Sequence, residues 1–203
     1  IACPSGVPYG KLIENTMEHV RQYRKSSIPS RIVTWLLLRQ FLTHLGLLAL
    51  FFNFLRLYQT TGLETLVSKT GFLKLISPKL KSLLDIAPRI QSSAFHSSGQ
   101  VVKPLGKQRA RVVLLSGCVM PLVHGAQMNS VANVLLFNGC EINIPKNQGC
   151  CGAINSHVGD LDTARILARR NIDAFLPIKA DAIVTASAGC GIRMKEYFDL
   201  LKD

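Results

Sequence analysis

Apolar positions fall at helical spacing along the first half of the chain and in short unbroken runs along the second. Leu12, Ile13, Met17 and Val20 share roughly one face of a helix over Lys11–Arg24. The run Ser26-Ser27-Ile28-Pro29-Ser30 then offers a break and a new N-cap. Residues 31–57 are the most apolar stretch, with sixteen uncharged residues between Arg39 and Arg56. A membrane-spanning helix needs about 20 mainly apolar residues, and Gln40, Thr43, His44 and Asn53 interrupt this one. A buried or interdomain helix is the first reading of this stretch, and a helix lying on a membrane surface is the second. Residues 62–90 continue as short amphipathic helices punctuated by Gly71, Pro78 and Pro88. Residues 91–110 are polar, Ser/Gly-rich and basic, the pattern of a linker.

From residue 111 the texture changes. Arg111–Leu115 is a short β-branched run, hence a buried strand. Leu122–Asn138 reads as a helix stopped by Gly139. Glu141–Ile144 is a second strand, stopped by Pro145. Leu161–Phe175 is a helix whose apolar face is Leu161, Ala164, Leu167, Ala168, Ile172 and Phe175, with Asp160 and Asp162 at its start. Ala182–Thr185 is a third strand and Ile192–Leu201 a last helix. Alternation of this kind specifies an α/β fold: a small parallel sheet with flanking helices, preceded here by an all-α basic segment.

Charge sharpens the division. Residues 1–110 hold 15 Lys/Arg and 4 Asp/Glu, whereas residues 111–203 hold 9 and 8. The basic excess therefore belongs to the first half. No aromatic residues interleave with those cations and no nucleic-acid module is recognisable, so nucleic acid is not the expected partner. An acidic protein surface or an anionic membrane surface fits better.

Six cysteines in 203 residues are too few for a disulfide scaffold. Cys140 reads as a small buried side chain. The others sit at turns. Cys118 follows the first strand in Ser-Gly-Cys. Cys150 and Cys151 follow the second strand in Gln148-Gly149-Cys150-Cys151-Gly152-Ala153. Cys190 follows the third strand in Ala-Gly-Cys-Gly. An adjacent Cys-Cys pair makes a strained disulfide and a poor zinc chelate, since zinc sites use a wider bite. It can offer two thiolates to different irons of one cluster. In an open parallel sheet, groups at the carboxyl ends of the strands converge on one crevice. Cysteines far apart in sequence would thus meet, and iron would offset the repulsion between their thiolates. Gly117, Gly149, Gly152, Gly189 and Gly191 flank them and bare N–H groups toward sulfur. His157, His124, Arg193 and Lys195 stand near these loops; capping or a solvated face is the expectation for each. No Ser-His-Asp set, P-loop or G-x-G-x-x-G after a strand is present.

The spacing Cys118–31 residues–Cys150-Cys151-Gly152–37 residues–Cys190-Gly191 resembles the cysteine-rich CCG domain. That domain occurs in heterodisulfide reductases and in iron–sulfur subunits of flavin-linked 2-hydroxyacid and glycerol-3-phosphate dehydrogenases. Ala2-Cys3-Pro4-Ser5-Gly6-Val7, Arg169-Arg-Asn-Ile-Asp-Ala-Phe175 and Ala186-Ser-Ala-Gly-Cys-Gly191 followed by Lys195-Glu196-Tyr197 are most similar to glycolate oxidase iron–sulfur subunits. The fuller CCG pattern ends in C-x-x-C, where this chain has Arg193.

The resemblance implies a domain order. Residues 1–10 would end a truncated ferredoxin-type 4Fe–4S domain, 11–90 would be a helical segment, 91–110 a linker and 111–203 the CCG domain of an internal fragment. It implies Cys3, Cys118, Cys150, Cys151 and Cys190 as ligands of 4Fe–4S clusters, and an FAD-containing partner subunit that oxidises glycolate to glyoxylate. Electrons would pass toward a membrane quinone, in a cytoplasmic complex with peripheral contact to the inner membrane. Other readings stay open: disulfide chemistry at the cluster, as in heterodisulfide reductase; a subunit of a lactate or glycerol-3-phosphate dehydrogenase complex; and a non-redox scaffold that docks subunits.

Overall fold

The computed structural model describes residues 5–23, 28–70, 81–82, 84, 86–90, 95 and 99–202. Cys3 lies outside them, as do the ends of the expected helices around residues 71–80. The described elements are α1 (Tyr9–Tyr23), α2 (Ile28–Trp35), a π-helical turn (Leu36–Phe41), α3 (Leu45–Thr60), α4 (Leu63–Thr70), β1 (Gln100–Val102), β2 (Ala110–Leu115), α5 (Met120–Val123), α6 (Gly125–Phe137), β3 (Cys140–Ile144), α7 (Ala153–His157), α8 (Leu161–Phe175), β4 (Ala182–Thr185), α9 (Ala188–Lys195) and α10 (Tyr197–Leu201).

The sheet runs β1-β3-β2-β4. β2 pairs in parallel with β3 and with β4, as the strand–helix alternation requires. β1 adds an antiparallel edge to β3, with Gln100 opposite Ile144 and Val102 opposite Ile142. β2 is central and buried on both faces, which explains its continuous apolar run. Val112 and Leu114 point to a cluster with Met128, Ile142 and Ile144. Val113 and Leu115 point the other way, to Cys151, Ala153 and Phe175. The second cluster lies beneath the Cys-Cys loop. α8 covers it and buries Ala164, Leu167, Ala168, Asn171 and Phe175 at helical spacing.

Several expectations change. The helix expected over Leu122–Asn138 is two, α5 and α6, divided at His124, and the expected linker 91–110 contains β1. The last helix is two, α9 and α10, and α9 begins early enough to put Cys190 in its first turn. The apolar stretch 31–57 is not one helix: it breaks at Leu42–His44, and its two halves meet at 105°. Of α3, Leu48 is buried, while Leu47, Leu50, Phe51, Phe54 and Leu57 form an exposed apolar face. No single described helix is long and apolar enough to cross a membrane. In α1, Leu12, Met17 and Val20 are exposed, and the buried residue is Glu14. Ion pairs rather than apolar area dock this helix.

The helical segment packs on α7 and α8. Asp160, 1% exposed, accepts from Arg39 Nε and Nη2 at 3.1 and 2.8 Å and pairs with Arg21 Nη1 at 2.8 Å. Asn155 Nδ2 donates to the Leu38 carbonyl at 3.2 Å. Gly159 sits at φ +75°, and a Cβ there would lie 2.6 Å from the Met17 carbonyl oxygen, so α1 can approach only because the residue is glycine.

Candidate metal centre

Each cysteine reaches the rim of the sheet by a different loop. β2 ends at Leu115, Gly117 turns the chain at φ +72°, and Cys118 follows. β3 leads through residues 145–149 to Cys150 and Cys151, after which α7 begins. β4 leads into α9 and Cys190. All three loops leave the carboxyl ends of parallel strands, where such sheets gather ligands.

The sulfurs come together as two pairs. Cys118 Sγ lies 3.4 Å from Cys150 Sγ, and Cys151 Sγ lies 3.3 Å from Cys190 Sγ. Cys150 and Cys151 are 1% and 4% exposed, and their partners are half-buried. The pairs also feel each other. The neighbouring Cys118 holds the Cys150 thiol up at about 12, aided by burial. Cys150 and burial hold Cys151 at about 11. The Cys190 thiol is raised by its contact with Cys151 and by burial, while Cys118 is lowered by its hydrogen bond with Cys150. Four such thiols can all be thiolates only beside a cation. Each sulfur nonetheless has a neighbour that favours its ionised form: the backbone at Val119 for Cys118, Gly152 N–H at 3.5 Å for Cys150, the backbone at Ala153 for Cys151 and the Ser187 side chain for Cys190.

Buried amides fix the loop that carries the doublet. Gln148 accepts from Ser116 N–H at 2.8 Å and donates to the Leu114 carbonyl at 3.3 Å, fastening the loop to the end of β2. Asn171, on the buried face of α8, accepts from Gly149 N–H at 2.8 Å and donates to the Cys150 carbonyl at 2.9 Å and to Tyr197 Oη at 3.1 Å. Tyr197 Oη donates to the Cys151 carbonyl at 3.0 Å. Gly152 adopts φ +82° with α8 directly beneath it; a Cβ would sit 3.2 Å from Ala164 Cα.

The donor set is four thiols, with no carboxylate or imidazole contributed. Among the described residues, no group of three or more His, Cys, Asp or Glu side chains could hold a single metal ion. Thiolate donors with N–H groups aimed at sulfur suit a sulfide-bridged iron cluster, whose irons accept ligands at separate points. Ser116 Oγ, two residues before Cys118, is buried with no partner among the described residues and leaves a spare donor in the same loop.

The remaining expected residues fall elsewhere. His157 pairs through Nδ1 with Glu14 at 3.0 Å and is largely exposed. His124 separates α5 from α6. Lys195 is exposed, and Cys140 is half-buried against the first apolar cluster. Arg193 corrects its expectation: far from a solvated face, it is 5% exposed, because α1 brings Glu14 over it. Sequence reading also missed Gln148, Asn171, Tyr197 and Glu14. Asn171 left a trace, a polar residue on the apolar stripe of α8 where it can only be buried.

Residues 112–195 match the family model described as the cysteine-rich domain CCG, and residues 29–87 match the linker region of the glycolate oxidase iron–sulfur subunit. Among curated proteins, the chain is 33% identical to a probable glycolate oxidase iron–sulfur subunit of Bacillus subtilis, across 99% of this chain and 46% of the relative. It is 28% identical to the glycolate oxidase iron–sulfur subunit of Escherichia coli, across 99% and 44%. Lactate utilization protein A of Bacillus cytotoxicus is 30% identical across 46% of this chain and 38% of that protein. The chain thus spans about half the length of the glycolate oxidase relatives. No solved structure matches it.

Proposed function

We propose that this chain, whose residues 112–195 match the cysteine-rich domain CCG and whose residues 29–87 match the linker region of a glycolate oxidase iron–sulfur subunit, carries electrons for a flavin-linked 2-hydroxyacid dehydrogenase. The substrate of the complex is glycolate, oxidised to glyoxylate at an FAD in a partner subunit, and the electrons leave toward a membrane quinone. Cys118, Cys150, Cys151 and Cys190 hold an iron–sulfur cluster of the 4Fe–4S class, and Cys3 serves a ferredoxin-type cluster. The complex is cytoplasmic and peripheral to the inner membrane.

The observation that carries this reading is the meeting of four thiols from three strand ends, paired at 3.4 and 3.3 Å. A bound cluster supplies reversible one-electron storage. The chain's own residues do the rest. Gln148, Asn171 and Tyr197 hold the Cys150–Cys151 backbone in place, and the buried doublet is shielded from water. The exposed apolar face of α3, beside a basic segment, supports peripheral membrane contact.

The close sulfur pairs also suit a second reading, direct dithiol–disulfide exchange. One assay separates them. The anaerobic holoprotein is mixed with its flavoprotein partner and glycolate. Bleaching of the visible iron–sulfur absorption that needs both partner and glycolate supports the carrier. Stoichiometric reduction of a small-molecule disulfide without the flavoprotein supports the exchange reading and contradicts the carrier.

A further inference from the structure

Cys190 and Arg193 lie three residues apart on α9, one turn along the same face. Arg193 Nη2 meets the two Glu14 carboxylate oxygens at 2.5 and 2.6 Å and Glu196 Oε2 at 3.0 Å. Its Nε is buried and has no partner among the described residues. Glu14 is itself buried, and His157 Nδ1 stands 3.0 Å from it.

As a stability device this arrangement is poor. Burying two charges costs several kcal/mol each before their attraction offsets it, and apolar residues of the same volume usually serve as well or better. An unpartnered buried donor adds to the cost. What the pair does supply is a fixed field. A charge within one helical turn of a redox group, shielded from water, acts on it far more strongly than a surface charge. Electron uptake adds negative charge, so a nearby cation favours the reduced form and a nearby anion the oxidised form.

We propose that the buried Glu14–Arg193 pair sets the reduction potential of the group held by Cys190 and its partner cysteines. Arg193 raises the potential and Glu14 lowers it. Glu14 arrives on α1, so docking of the helical segment and the potential are coupled. The proposal rests on the reading that these cysteines hold a redox cluster.

The test is a potentiometric titration of the anaerobic holoprotein, followed by visible absorption and electron paramagnetic resonance. It reads only the signal that a Cys150→Ser variant lacks. Arg193→Gln shifts the reduction equilibrium about tenfold toward the oxidised form, ~59 mV lower for one electron. Glu14→Gln shifts it a similar amount the other way. The double variant returns to within about threefold of the parent, since the two shifts cancel. Arg193→Lys keeps the charge and stays near the parent value, which covers the case in which Arg193→Gln fails to fold. Unchanged potentials in the single variants, or shifts of the same sign, overturn the proposal. If no signal is lost in Cys150→Ser, the cluster reading itself fails and this proposal falls with it.

Discussion

At the scale of single residues, the site depends on side chains that hold backbone rather than on the sulfurs alone. Asn171 uses its amide three times, on Gly149, Cys150 and Tyr197. Asn171→Ala leaves a buried N–H and a buried carbonyl unpaired, at about 1–3 kcal/mol each. Chemical denaturation should therefore show a loss of about 2–6 kcal/mol, with faster release of iron. Tyr197→Phe removes the bond donated to the Cys151 carbonyl and the one accepted from Asn171, whose amide keeps its bonds to Gly149 and Cys150, and should cost about 1–2 kcal/mol. Equal losses in the two variants would contradict this division of labour. The gathering of Cys118, Cys150, Cys151 and Cys190 was legible in the sequence because each follows a strand whose carboxyl end is fixed by topology. Asn171, Gln148 and Tyr197 were not, because their roles come from partners 21 to 46 residues away, which no local pattern encodes.

At the scale of elements, β2, β3 and β4 stand where their apolar runs put them: β2 is central and buried on both faces and needs such a run, while β4 is an edge strand with Ile183 exposed. β1 escaped notice because three residues, Gln100–Val102, carry too little pattern; pairing with β3 is what makes them a strand. The break at Leu42–His44 was equally hidden, because apolar spacing says where a helix can bury itself and nothing about where it bends. α1 misled for another reason: its apolar stripe is exposed and its charges dock. The joint between α1, the π-helical turn and the α/β domain is Asp160. Burial works against its ionisation, yet the hydrogen bonds from Arg39 and Arg21 outweigh that and hold it at about 2. A carboxylate with a depressed pKa stabilises the fold above its unfolded value, here 3.8, and that contribution vanishes as pH falls through about 2. At neutral pH the contribution is on the order of 2 kcal/mol. Asp160→Asn should forfeit it and raise amide hydrogen exchange in α1 and around Arg39. Unchanged protection there would show that the helices are held by something else.

At the scale of the whole molecule, the basic first half divides its charge between two tasks. Arg21 and Arg39 are spent on Asp160, and Lys11 on Asp199. In this basic segment of the sequence, α3 shows Leu47, Leu50, Phe51, Phe54 and Leu57 to the outside. Such a surface should bind vesicles containing anionic lipid, more weakly as salt rises, and Leu50→Ser with Phe54→Ser should reduce binding at least tenfold. Equal binding to neutral vesicles at all salt concentrations would remove the electrostatic part of that account. The central claim is that sulfurs distant along the chain gather at one rim of the sheet to hold iron. Its most direct test is iron and acid-labile sulfide, measured anaerobically on the holoprotein and on Cys150→Ser and Cys151→Ser, with circular dichroism confirming that the variants fold. Each variant should lose one cluster's complement of iron and sulfide relative to the parent. Folded variants with undiminished iron and sulfide would contradict the claim.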